Sequence, residues 1–239
     1  GQSGAHDGTR AYELAINSFV STPGRVVCVA AGNDGANLIH LGGSISSGGS
    51  GSVTVAVPAY TAISGSNNDR FIVEIWFNSS ATVTSAVTFN GSPTSPTNGT
   101  VALVNTTSSL NSNRTVSLEV SDAAGTAPTA GTWTVNLSNP SSNVTFDAWL
   151  SFRTMGATLN GADNNKSVSM PATAQGAITV GAYVTKWSWP TYFGATFGYT
   201  GSDRTSNIAT FSGIGPTADG RQKPEITAPG QGIVAALSS

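Results

Sequence analysis

Apolar positions along this chain keep two different rhythms. Near the start, Ala11, Leu14, Ala15 and Phe19 recur at intervals of three and four, which places them on one face of a helix. Asp7-Gly8-Thr9 precedes them, with Asp7 or Thr9 in position to cap the helix. Pro23-Gly24 then punctuates the chain, and Arg25 to Ala31 forms a near-continuous apolar run, the pattern of a strand buried on both faces. Helix followed by buried strand is the rhythm of an α/β sheet. Cys28, inside that run, is expected to be a small buried core residue.

From Gly42 to about Gly156 the period changes to two. Phe71, Val73, Ile75 and Phe77 share one face of a strand, and Val116, Leu118 and Val120 alternate with Thr115, Ser117 and Glu119. Trp133, Val135 and Leu137 repeat the pattern, as do Val144, Phe146, Ala148 and Leu150. Asn90-Gly91, Asn98-Gly99 and Ala130-Gly131 mark turns between such runs. Short strands at this spacing predict an antiparallel β-sandwich of jelly-roll type, entered through a Gly/Ser linker over Gly42 to Gly51.

From Ala157 onward the α/β character returns. Ala177 to Ala182, Asn207 to Ser212 and Pro224 to Gly230 read as three short strands, the last closed by Pro-Gly. The predicted fold class is therefore α/β with a mostly parallel sheet, interrupted by an inserted antiparallel sandwich. The expected domains are 1–41, 42–156 and 157–239.

Composition narrows the function classes. The chain has 239 residues, 9% of them charged, and a formal net charge of -2. Such a surface attracts neither nucleic acid nor an anionic membrane, and neither is expected as a partner. No apolar stretch is long enough to span a bilayer, and no signal peptide is visible. Cys28 is the single cysteine, so an intrachain disulfide is excluded. Asn-X-Ser/Thr triplets begin at Asn78, Asn90, Asn98, Asn105, Asn113, Asn136, Asn143 and Asn165; a chain this rich in Asn, Ser and Thr produces them by chance, and they fit an exported protein. The start at Gly1-Gln2-Ser3-Gly4 and the stop at Leu237-Ser238-Ser239 both look cut.

Four signatures, taken together and in order, resemble the subtilisin-like serine proteases, or subtilases. They are Val29-Ala30-Ala31-Gly32-Asn33-Asp34-Gly35, then Ala177 to Ala182 preceded by Pro171-Ala172-Thr173-Ala174, then Ala209 to Pro216, then Asp219 to Gly230. Gly1-Gln2-Ser3-Gly4 followed by a helix resembles the family's substrate-binding strand end. The resemblance covers the first and third segments. The middle segment lies outside the minimal fold but resembles the jelly-roll insert of some bacterial subtilases, the spore-germination proteases of clostridia included, on Trp76 in Glu74-Ile75-Trp76 and Trp149 in Ala148-Trp149-Leu150.

The resemblance implies peptide-bond hydrolysis by a Ser-His-Asp triad. The family's Asp-Thr/Ser-Gly, His-Gly-Thr-His and Gly-Thr-Ser-Met-Ala motifs do not occur here. In family order the first two precede this segment and the third follows it, so the expectation is a piece of a larger protease, inactive alone. His6 matches no motif and is expected at the surface or in a cap; His40 is expected at the domain junction without a catalytic role. What the resemblance assigns to this chain is half a site. Asn33 is the oxyanion donor, and Ala30, Ala31 and Gly32 form a wall of the substrate pocket. Gly1 and Ser3 lie near the strand that pairs with substrate. Read without the resemblance, Asn33 is a polar turn residue and the small residues are close packing. No cofactor is required and no metal ligand is assigned; many family members hold a structural calcium, which this sequence does not place. The expected partners are a protein or peptide substrate and the remainder of the protease domain, with self-association of the isolated chain through uncovered sheet edges. The expected location is secreted or at the surface of a bacterial cell. The alternative is a non-catalytic binding module, a sandwich on a subtilase-like base.

Overall fold

The computed structural model describes residues 1–201 and 203–233; the chain end at Leu237-Ser238-Ser239 lies outside them. The chain divides into two compact units, one of residues 1, 5–37 and 164–239 and the other of residues 2–4 and 38–163. In chain order the elements are α1 (Ala11–Val20), β1 (Cys28–Ala30), β2 (His40–Ile45), β3 (Ser50–Val57), β4 (Arg70–Phe77), β5 (Thr84–Phe89), β6 (Ser92–Pro93), β7 (Thr100–Thr107), β8 (Arg114–Ser121), β9 (Gly131–Ser138), β10 (Val144–Ser151), β11 (Thr158–Leu159), β12 (Ile178–Val184), β13 (Ser188–Pro190), β14 (Thr196–Gly198) and β15 (Ile226–Gln231).

The unit over 38–163 is a sandwich of two five-stranded antiparallel sheets, ordered β2-β10-β4-β8-β7 and β11-β3-β9-β5-β6. Period-two alternation makes it. On β4 every second residue is buried, so Phe71, Val73, Ile75 and Phe77 enter the core while Ile72, Glu74 and Trp76 face away. Trp133 fills the space between sheets, its ring 4.8 Å from Phe89 and 6.2 Å from Phe71. Burying one such large apolar side chain is worth about 1.5–3 kcal/mol, so β4 alone contributes on the order of 6–12 kcal/mol. Asn90 and Gly91 (φ 49° and 78°) make the tight left-handed turn between β5 and β6.

Gly42 to Gly51 is not a linker. Gly42 and Gly43 belong to β2 and Gly51 to β3. Gly43 is small because the Phe146 ring covers it: a Cβ there would lie 2.3 Å from the ring edge. His40, at the start of β2, is buried. Its Nε2 is 2.9 Å from Asp147 Oδ1 and its Nδ1 2.7 Å from Asp163 Oδ1.

The second unit carries the described parallel strands, a three-stranded sheet ordered β1-β12-β15. Here the predicted α/β class is overturned. One ten-residue helix and three short parallel strands are outweighed by two five-stranded antiparallel sheets, so the described chain is nearly all β. The segments that keep a helix-then-strand rhythm are too short to set the class. Asn207 to Ser212 forms no strand; it makes a single bridge, Ile208 to Tyr183.

Three further expectations fail in this unit. The helix begins after Arg10 rather than Asp7 or Thr9, because the Asp7 carboxylate is engaged by the Thr9 N–H and hydroxyl at 3.0 and 2.6 Å. Leu14 and Phe19 are exposed, and Glu13 is the buried residue of α1. The run Arg25 to Ala31 shrinks to a three-residue edge strand on which Cys28 and Ala30 are exposed, so Cys28 is not a core residue.

Candidate functional site

The segment after β1 is held almost entirely by its main chain. Ala31 N–H donates to Val180 O at 2.9 Å, and Ala31 O accepts from Ser169 N–H at 2.8 Å. Gly32 O accepts from Gly213 N–H at 3.0 Å, and Gly35 N–H donates to Phe211 O at 2.9 Å. Between these anchors stands Asn33, exposed, at the carboxyl end of a parallel strand. That is where open parallel sheets place ligand-binding groups. Three glycines make the approach possible. A Cβ on Gly32 (φ +96°) would lie 2.3 Å from Ser169 Oγ, one on Gly35 2.0 Å from Ser212 O, and one on Gly213 2.3 Å from Ala31 O. The effect is an exposed amide side chain on a backbone with little freedom.

The other predicted residues divide. Ala30 is exposed and lines a depression of about 230 Å³ with Cys28, Val180, Ala182, Ala228 and Gly230. Ala31 is buried and Gly32 half-buried against Ser169, so they support the loop rather than line that depression. Gly1 pairs with Met170 in both directions, its ammonium donating to Met170 O at 2.8 Å and its carbonyl accepting Met170 N–H at 2.9 Å. Since Ser169 bonds Ala31, Gly1 sits one segment away from the Asn33 loop. Ser3 groups with the sandwich unit.

The signatures contain several of the supporting residues, but not the bonds they make. Ser169 fastens the loop from one side and Phe211 and Gly213 from another, while Ser167 N–H bonds Ile214 O at 2.8 Å. The last signature is a set of ties. Lys223 Nζ donates to Ala177 O and Glu225 Oε1, both at 2.6 Å, while Glu225 Oε2 accepts Thr179 N–H at 2.7 Å. Arg221 Nη2 reaches Thr173 O at 2.8 Å and Asp7 O at 3.0 Å. These side chains fix the N-terminal end of β12 and the turn before α1.

Two carboxyl groups are displaced from their ordinary values. Burial pushes Glu13 up, against the hydrogen bonds it accepts from the Thr173 hydroxyl and Arg10 N–H. Partial burial also acts on Glu225, but hydrogen bonds from Lys223 and Thr179 N–H hold it below the usual range. Neither histidine is placed as a base. His6, expected at the surface or in a cap, is buried with Nδ1 2.9 Å from Val168 O. Both ring nitrogens of His40 face carboxylates. Among the described residues no group of three or more His, Cys, Asp or Glu is placed to hold a metal ion. Nor is any described helix long and apolar enough to cross a membrane.

The Subtilase family model matches residues 139–239. Among solved structures, the Clostridium perfringens CspB protease is similar at a TM-score of 0.68 and 19% identity, over 99% of this chain and 47% of that one. At that identity the likeness is one of fold, and this chain spans about half the length of the protease it matches.

Proposed function

We propose that this chain, which matches the Subtilase family model over residues 139–239 and resembles the CspB protease in fold, is part of a serine endopeptidase and supplies the oxyanion donor of its active site. The observation that carries this reading is Asn33: an exposed amide on a backbone clamped from both sides, at the end of a parallel strand. In the acyl-transfer transition state the carbonyl oxygen of the substrate gains negative charge. A fixed N–H donor stabilises it without reorganising at the moment of reaction. Ala30 forms part of the adjoining wall, with Ala31 and Gly32 beneath it as support, and Gly1 lies near the strand that would pair with an extended substrate. The nucleophile, base and orienting acid come from sequence outside this chain, whose own histidines are occupied structurally. Uncovered apolar side chains support the same reading: Leu14 and Phe19 on α1, and Ile226 on β15, are exposed as parts of a larger folded body would be.

The test uses the longer protein that contains this chain. A fluorophosphonate probe should label an activated serine there. Asn33→Ala should leave labelling detectable while lowering turnover by about 10² to 10³, the figure known for losing this donor in subtilisin itself and taken over from it. No labelling of the wild type would sink the protease reading and favour a non-catalytic binding module. We further propose that the sandwich selects among protein substrates, so that its removal alters cleavage of folded proteins more than of short peptides; equal effects would refute this.

A further inference from the structure

Residues 186–201 form an aromatic hairpin to which the protease reading gives no role. β13 and β14 pair antiparallel with Trp189 opposite Phe197, and Tyr199 N–H donates to Trp187 O at 2.8 Å. Trp187 and Trp189 are two apart on one strand, and Phe197 and Tyr199 two apart on the other, so all four rings fall on one face. Ser188 and Gly198 occupy the other face. Trp189 lies 5.2 Å from Phe197 and 5.6 Å from Tyr199 between ring centroids. The tip is a turn closed by Gly194 N–H on Thr191 O at 3.0 Å. Its two central positions, usually given to polar residues or glycine, are Tyr192 and Phe193, 97% and 90% exposed.

We infer that this hairpin is a wedge for an anionic lipid bilayer. The stretch from Lys186 to Gly201 contains no Asp, Glu, Asn, Gln or His. A sugar-binding platform needs such side chains for hydroxyl groups and presents parallel ring faces; here the tip rings meet at 80° and the face rings at 52° and 64°. Cations stand at the base instead. Lys186 is exposed, and the Arg204 guanidinium lies 4.6 Å over the Trp187 ring. The neighbouring carboxylate, Asp203, is buried and turned to Thr210 at 3.0 Å. An apolar tip, an aromatic shoulder and a cationic base are the sequence of chemistries met on going from acyl chains through the interface to anionic headgroups. The chain-wide charge of -2 argues against a membrane partner; this segment carries a charge pattern of its own. The inference does not depend on the protease reading.

The test is sedimentation with vesicles of phosphatidylglycerol and phosphatidylcholine, beside vesicles of phosphatidylcholine alone. Binding is expected to the anionic vesicles, with quenching of tryptophan emission by lipids brominated near the headgroup end of the chain. Tyr192→Ser with Phe193→Ser, at positions too exposed to affect folding, should weaken partitioning at least tenfold and remove the quenching. Lys186→Gln should weaken it by roughly fivefold. Absence of binding, or equal binding by the double variant, would overturn the inference. So would self-association that the double variant abolishes in the absence of lipid binding, since a second copy would then be the occupant. Protection of Tyr192 and Phe193 from radical oxidation in the lipid-free longer protein would overturn it too, by assigning the hairpin to the rest of that polypeptide.

Discussion

Replacing Gly35 with alanine tests whether the Asn33 loop is as firmly clamped as its hydrogen bonds indicate. The new methyl group would lie 2.0 Å from Ser212 O, 2.7 Å from Ser212 C and 3.0 Å from Thr210 O. All three are backbone atoms, so no side-chain rotation relieves the clash. Either the loop or the 210–213 segment moves, and the 2.9 Å bond from Gly35 N–H to Phe211 O opens. Overpacking of this kind costs about 1–3 kcal/mol, and a buried backbone hydrogen bond about 1 kcal/mol more, which gives roughly 2–4 kcal/mol. Gly220→Ala is the control: its φ is +85°, but nothing lies within 4 Å of the added atom, so only left-handed strain of about 1–2 kcal/mol applies. Because two compact units mix in a single melting curve, the readout is hydrogen exchange resolved to the segment. Residues 31–37 and 209–214 should lose protection in Gly35→Ala and keep it in Gly220→Ala. Unchanged exchange in Gly35→Ala, with stability within about 0.5 kcal/mol of wild type, would show that the loop yields easily, and the preorganisation argument for Asn33 would fall with it.

Lys223→Met should destabilise the parallel-sheet unit by about 2–3 kcal/mol in urea titration. It removes the 2.6 Å bond to Ala177 O and strands Glu225, whose 40% side-chain exposure tempers the loss. Glu13 and Glu225 should respond to acid in opposite directions. The raised Glu13 favours its protonated form in the folded state, so its contribution is greatest at low pH and declines as pH rises; Glu13→Gln should therefore cost more at pH 4 than at pH 7. The lowered Glu225 contributes above its unfolded pKa and loses that contribution as pH falls through the folded one, so Glu225→Gln should matter more at pH 7 than at pH 3. The isolated chain should self-associate through its open sheet edges, and a clean monomer in size-exclusion chromatography with light scattering would refute that.

The sandwich was legible because burial in a two-sheet core imposes its period directly on the sequence. Val116, Leu118 and Val120 are buried where alternation puts them, as are Trp133, Val135 and Leu137. The parallel-sheet unit was less legible because its apolar pattern and its burial do not coincide. Leu14 and Phe19 have helical spacing yet face solvent, while the buried position of α1 goes to Glu13, paired with Thr173 far along the chain. Asn33 stands out through motif resemblance, and Phe211 to Gly213 fall within another of the signatures; that they and Ser169 clamp the Asn33 loop is not legible, because they are remote in sequence and bond it through backbone atoms. Trp-Ser-Trp and Phe-Gly-Tyr spell the alternation of the aromatic hairpin, yet too briefly to mark it as one. Its strands are three residues each, too short for the windows in which period two becomes apparent.

Where the chain passes into the sandwich and where it comes out are tied to each other. Asp163 N–H donates to His40 O at 2.7 Å, across 123 positions of sequence, and the two side chains meet at the same distance. A module whose two ends are stitched together asks of its host only what a short surface loop would ask. Such a module can be inserted, removed or exchanged without altering the span between the residues that flank it.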